Sequence, residues 1–149
     1  MTSGGGQELV VVGVDGSAES VAALKWAARY ASATGARVQA LLAWHYPGVI
    51  GGPAEGGVPE AIRGQTDQQM HDALDDAIGK AYEGGDAGGG VEKLLAYGHP
   101  AQALIEASKE ADLLVVGSHG HGSFTGMLVG SVSIHCVTAA HCPVVVVRA

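Results

Sequence analysis

From Leu9 to Val14 the chain reads Leu-Val-Val-Val-Gly-Val, without one polar side chain. A strand with one face in water alternates apolar and polar residues, so an unbroken run belongs to a strand covered on both faces. Asp15, Gly16 and Ser17 end the run. From Glu19 apolar residues return at helical spacing, with Val21, Leu24, Ala28 and Ala31 on one face and Gly35 where a left-handed helix end is wanted. A doubly covered strand feeding a helix is the unit of a parallel sheet, because parallel strands need crossovers and the crossovers supply the covering helices.

The same alternation recurs down the chain. Val38 to Trp44 repeats the strand signal, and Pro47 to Gly57 carries enough Gly and Pro to form a long, mobile loop. Pro59 opens a helix in which Met70, Leu74, Ala77, Ile78 and Ala81 recur at helical intervals as far as Tyr82, before the linker GGDAGGG. Val91 to Tyr97 is a third, weaker strand. Pro100 then starts a helix with Ala101, Leu104, Ile105 and Ser108 facing inward. Leu113 to Val116 is the fourth strand; a helix over Val132 to Ala140 and a strand over Val144 to Val147 follow.

Five strands alternating with four helices predict a single doubly wound α/β domain over residues 1–149, with residues 1–7 as a flexible tail and helices on both faces of a parallel sheet. In the strand order 3-2-1-4-5, the winding reverses between the first and fourth strands. Ligands bind beyond the carboxyl ends of such sheets at that reversal, so Asp15 and Gly117 flank one crevice.

Composition excludes several functions. At 47% hydrophobic and 15% charged, the chain has the burial needed for a globular fold. A net charge of −7 leaves no basic field to collect nucleic acid or an anionic membrane. No apolar run approaches the roughly 20 residues of a membrane helix, and the start MTSGGGQE has no basic region leading into an apolar stretch. A cytoplasmic protein is the expectation. Cys136 and Cys142 lie in an apolar stretch, unlike a disulfide framework, and read as reduced, partly buried thiols.

The informative segment is GSHGHGSFTGMLVGSVS, Gly117 to Ser133. Gly117, Gly120, Gly122 and Gly126 allow close approach of backbone to a ligand, or positive φ, and Gly130-Ser131 opens the next helix. Amides of a glycine-rich turn and of a helix amino terminus form an anion site, because the donors are unpaired and the helix dipole favours negative charge. Ser131 and Ser133 add hydroxyl donors. A glycine-rich turn also serves as a plain flexible connection, and spacing favours the first reading.

Gly117, two residues, Gly120, nine residues and Gly130-Ser131 resemble the ATP-binding signature of the universal stress protein family. The beginning VVVGVDGSAES and the ending HCPVVVVRA are similar to that family too, so the resemblance spans nearly the whole chain. It implies a nucleotide over the ends of the first and fourth strands. Gly13, Val14 and Asp15 would then lie near ribose and base, and the backbone around Ala43 and Trp44 against adenine. Gly117, Gly120, Gly130, Ser131, Val132 and Ser133 match the positions that hold ribose and phosphates, and Ser118, His119, His121, Gly122, Ser123 and Met127 line the same loop. The implied cofactor is ATP, with Mg or Mn on the phosphates.

His119 and His121 stand where such loops often carry a permanent cation. Imidazole, with a reference pKa of about 6.5, is only fractionally charged at neutral pH. ATP affinity is therefore expected to rise as pH falls; a calorimetric titration flat from mildly acidic to mildly alkaline pH would remove both histidines from the phosphate site.

Enzyme signatures are weak. Neither G-x-x-x-x-G-K-[ST] nor G-x-G-x-x-G occurs, and no lysine, arginine pair or general base accompanies the glycines. Asp15 suits ribose or a metal on the phosphates, and equally a turn. His135 and His141, set around Cys136 and Cys142, do not converge on one ion by spacing. The expectation is an ATP-binding regulatory protein of the stress response with little or no turnover. The alternatives are a slow ATPase or nucleotidyl-transfer enzyme, an AMP or cyclic AMP sensor, and a dimerisation module with an empty crevice. Val144 to Val147, an apolar edge strand, invites pairing about a two-fold axis, and the resemblance implies a homodimer formed this way.

Overall fold

The computed structural model describes residues 7–44, 60–82, 90–118 and 131–148, with backbone alone for Trp44 and residues 60–66. The elements follow as β1 (Leu9–Gly13), α1 (Ala18–Thr34), β2 (Arg37–Trp44), α2 (Glu60–Ala81), β3 (Val91–Tyr97), α3 (Pro100–Ala107), β4 (Leu113–Gly117), α4 (Ser131–Ala139) and β5 (Val144–Val147). The strands form one five-stranded sheet in the order β3-β2-β1-β4-β5, every pair parallel, as the alternation predicts.

Successive strand residues point to opposite faces, and each face builds its own core. Val10, Val12, Val14, Val38, Ala40, Leu42 and Val115 meet buried residues of α1 and α2, among them Leu24, Met70, Leu74 and Ile78. Leu9, Val11, Leu41, Leu114 and Val116 meet Leu104 of α3 and Cys136 of α4. The central strands thus need apolar residues at every position, which is why β1 and β4 read as continuous runs.

Helix α1 begins where Ser17 Oγ accepts from the Ser20 amide and ends at Gly35, in the left-handed region at φ 80°, whose N–H donates to Ala31 O at 2.7 Å. Its most buried face is Ser20, Ala23, Leu24 and Ala27, displaced from the expected stripe of Val21, Leu24, Ala28 and Ala31. Small Ala23 and Ala27 let the helix lie close to the sheet, and Ser20 tolerates burial because its hydroxyl donates to Ser17 O at 2.9 Å. At the carboxyl end of α3, the capping residue Ser108 is the corresponding polar core residue. Its hydroxyl donates to Ile105 O at 2.6 Å and accepts from His141 N at 2.9 Å, tying the end of α3 to the link between α4 and β5.

The two sheet edges differ. On β3, Glu92 pairs with Arg37 at 3.6 Å, Lys93 pairs with Asp75 of α2, and Tyr97 donates to Asp67. Exposed pairs of this kind add little stability, but charge on an edge strand discourages pairing with another chain. On β5 the four residues are valines, all half-buried.

Candidate functional site

Past its midpoint the sheet divides. β1 pairs with β4 only through Val10, Val11 and Val12, the last opposite Val115. β1 stays with β2 as far as Gly13 opposite Leu41, and the Val14 amide still donates to Leu41 O at 2.9 Å. β4 stays with β5 as far as Gly117 opposite Val147, and the Ser118 amide donates to Val147 O at 2.8 Å. Beyond Val12 and Val115 each central strand therefore follows its outer neighbour. This parting lies at the carboxyl end of the sheet, at the reversal of winding, where open α/β sheets bind ligands.

Gly13, Val14 and Asp15 form one wall. Val14 is buried, and Asp15 enters a closed turn in which its Oδ1 accepts from Ser17 N at 2.9 Å and its amide donates to Ser20 Oγ at 3.4 Å, with Gly16 at φ 85°. Ala43 and the Trp44 backbone end β2 beside this wall. The other wall is Gly117 and Ser118, the latter only 3% exposed, with the first turn of α4. There Ser131 is exposed, Val132 packs into the α3/α4 core, and Ser133, 3% exposed, donates its hydroxyl hydrogen to Gly117 O. His119, Gly120, His121, Gly122, Ser123, Met127 and Gly130 lie outside the described residues, as does the segment from Pro47 to Gly57.

Two glycines have packing reasons that residue spacing does not reveal. A Cβ on Gly117 would lie 2.7 Å from Glu19 Cβ and 2.8 Å from its carbonyl carbon, so α1's first turn packs directly on the end of β4. A Cβ on Gly13 would lie 2.9 Å from Leu104 Cδ1. Neither has positive φ.

The walls differ in charge. The amino terminus of α1 already has Asp15 in its capping turn and Glu19 in its first turn, whereas the first turn of α4 has no acidic residue. A helix amino terminus attracts anions, and prior occupation by carboxylates cancels that attraction. An anion bound beyond the parted strand ends is therefore favoured on the α4 side, and hydroxyl donors or a cation on the Asp15 side.

Both cysteines are free, and neither is poised as a nucleophile. Burial, and then the neighbouring Cys142, pushes the Cys136 thiol up to about 11; burial, and then Asp112, raises that of Cys142. Among the described residues no group of three or more His, Cys, Asp or Glu is placed to hold a metal, and no helix is long and apolar enough to cross a membrane.

The family model of the universal stress protein family matches residues 8–148. The chain belongs to the universal stress protein family. A universal stress protein of Mycobacterium tuberculosis is 37% identical over 149 residues, covering 93% of this chain and 43% of that protein, so the chain spans less than half the length of that relative. Among solved structures, the universal stress protein UspA of Lactobacillus plantarum superimposes with a TM-score of 0.74 at 23% identity, covering 95% of this chain and 97% of that one. A universal stress protein solved in complex with cAMP is 29% identical with a TM-score of 0.58, covering 94% of this chain and 95% of the other. The five-stranded parallel sheet thus shares its fold with these solved universal stress proteins.

Proposed function

We propose that this universal stress protein binds ATP between the carboxyl ends of β1 and β4 and holds it with little or no turnover, as a regulatory protein acting in the cytoplasm. The observation that carries the reading is the parting of the two strands beyond Val12 and Val115, with an acid-free helix amino terminus on one wall and Asp15 on the other. Phosphates would lie toward Ser131 and the glycine-rich segment, ribose or a phosphate-bound Mg or Mn toward Asp15, and adenine toward Ala43 and Trp44. The spacing of Gly117, Gly120 and Gly130-Ser131 supports a polyphosphate.

A second reading, an AMP or cyclic AMP sensor, is favoured by the relative in complex with cAMP. The deciding experiment identifies the nucleotide released when the purified protein is denatured, then titrates ATP, AMP and cyclic AMP separately. ATP recovered intact, with no phosphate released on incubation, supports storage of ATP. Stoichiometric release of phosphate would replace storage with hydrolysis, and tighter binding of cyclic AMP would replace ATP as the ligand.

The same proposal includes a homodimer through β5. The β3 edge is charged and the β5 edge is not, and Ile134 and Val137 on neighbouring α4 are 46% and 56% exposed. Pairing two β5 strands would cover amides and valines together. The chain is expected to sediment as a dimer at micromolar concentration and Val137→Glu as a monomer; a monomeric wild type would sink the pairing.

A further inference from the structure

The Gly117 carbonyl presents an electrostatic problem for any anion in the crevice. Across the trans peptide that follows Gly117, the carbonyl and the Ser118 amide point in opposite directions. That amide donates to Val147 of β5, so the carbonyl is aimed away from β5, toward the β1 side. The ladder between β4 and β1 has already stopped at Val115, and the carbonyl's partner is instead the Ser133 hydroxyl. Left bare, it would present a partial negative charge to the phosphates.

We propose that Ser133 is a positioning residue: its hydroxyl caps the Gly117 carbonyl, screening that oxygen from a bound anion and fixing the first turn of α4 against the end of β4. The proposal rests on the nucleotide reading above and refines it. A serine hydroxyl has one hydrogen to donate. With that hydrogen on Gly117 O, Ser133 is not a phosphate donor, although its position matches one that holds ribose and phosphates in relatives with the signature. Exposed Ser131 retains that role. Ser133 is buried and Ser131 is not, which is the division expected between a clamp and a ligand contact.

The test uses wild type, Ser133→Ala and Ser133→Thr, each titrated with ATP and with adenosine, and follows the carbonyl carbon of Gly117 by NMR. Ser133→Ala is expected to weaken ATP about tenfold, the scale of leaving one carbonyl oxygen uncapped beside a bound anion, and to leave adenosine unchanged. Ser133→Thr keeps a hydroxyl in place and should restore ATP affinity to within about threefold of wild type, a difference below 1 unit of log affinity. In wild type the Gly117 carbonyl shift should stay at its hydrogen-bonded value when ATP is added. Undiminished ATP affinity in Ser133→Ala, or a wild-type Gly117 carbonyl shift that moves upfield on ATP binding, as on loss of its hydrogen bond, would overturn the proposal. If Ser133→Ala does not fold, the Thr variant and the wild-type shift decide. A wild type that binds adenosine but not ATP overturns the ATP reading and this refinement together, an outcome distinct from failure of the clamp alone.

Discussion

Gly117→Ala is expected to lower the unfolding free energy by about 3 kcal/mol, near the upper end for overpacking a closed site. The added Cβ would lie 2.7 Å from Glu19 Cβ, 2.8 Å from Glu19 C and 2.9 Å from Glu19 O. Two of these atoms are backbone in the first turn of α1, so no rotamer change clears them. Replacing Gly by Ala also restricts the unfolded chain, a gain of about 0.4–1 kcal/mol that is too small to reverse the sign. Gly13→Ala is the control. Its Cβ would meet Leu104 Cδ1 at 2.9 Å and Cδ2 at 3.3 Å, the far end of a side chain that can turn away, so a loss of about 1 kcal/mol is expected. Leu104→Val in the Gly13→Ala background should recover part of it. Urea midpoints at constant m check all three variants, and a Gly117→Ala protein as stable as wild type would show that α1 can withdraw from β4 at little cost.

How much of this was legible beforehand follows from which interactions are local. The strand order was within reach because doubly apolar runs such as Leu9 to Val14 demand helices on both faces, and β3, with Glu92 and Lys93, reads as the weaker, outer strand that it is. The ends of β1 and β4 follow from Asp15-Gly16-Ser17 and from Gly117, so the place where the two strands part is legible with them. The Gly117–Glu19 contact was not, because it joins residues far apart in the chain and depends on the angle at which α1 crosses β4. Ser133 carries the same lesson: its neighbours in sequence mark a helix start, and its partner is set by tertiary packing. On α1 the apolar spacing finds Leu24, with Val21 and Ala31 at the margin of the core, and misses the centre of the buried face for a related reason. Ser20 looks like a solvent residue until its bond to Ser17 O is known, and the buried stripe starts there.

Between pH 9 and 11 the protein is expected to lose about 3 kcal/mol of stability through Cys136. Burial, with a smaller contribution from Cys142, raises this thiol from an ordinary 9.0 to about 11 in the folded chain. Below pH 9 both folded and unfolded states carry the neutral thiol, so the contribution is fully present; above 9 the unfolded thiol ionises first and binds fewer protons than the native one. Stability therefore falls as pH rises, until the folded thiol also ionises near 11. At about 1.4 kcal/mol per pH unit, that interval gives the stated magnitude. Cys136→Ala will cost about 1 kcal/mol at neutral pH by leaving a small cavity, yet its urea midpoint should fall less steeply than that of wild type over the same range. A residual slope is expected from Cys142, Tyr30 and Tyr82, all also raised, Tyr30 chiefly by its bond to Glu8 and Tyr82 by burial. Identical slopes in wild type and Cys136→Ala would place the loss elsewhere. Cys136 and Ser133 are the two buried residues of α4, so ionisation at Cys136 loosens the helix that carries the proposed clamp. ATP affinity should accordingly fall in this alkaline range, well separated from the rise expected below neutral pH for His119 and His121, and Cys136→Ala should reduce the alkaline limb while leaving the acidic one in place.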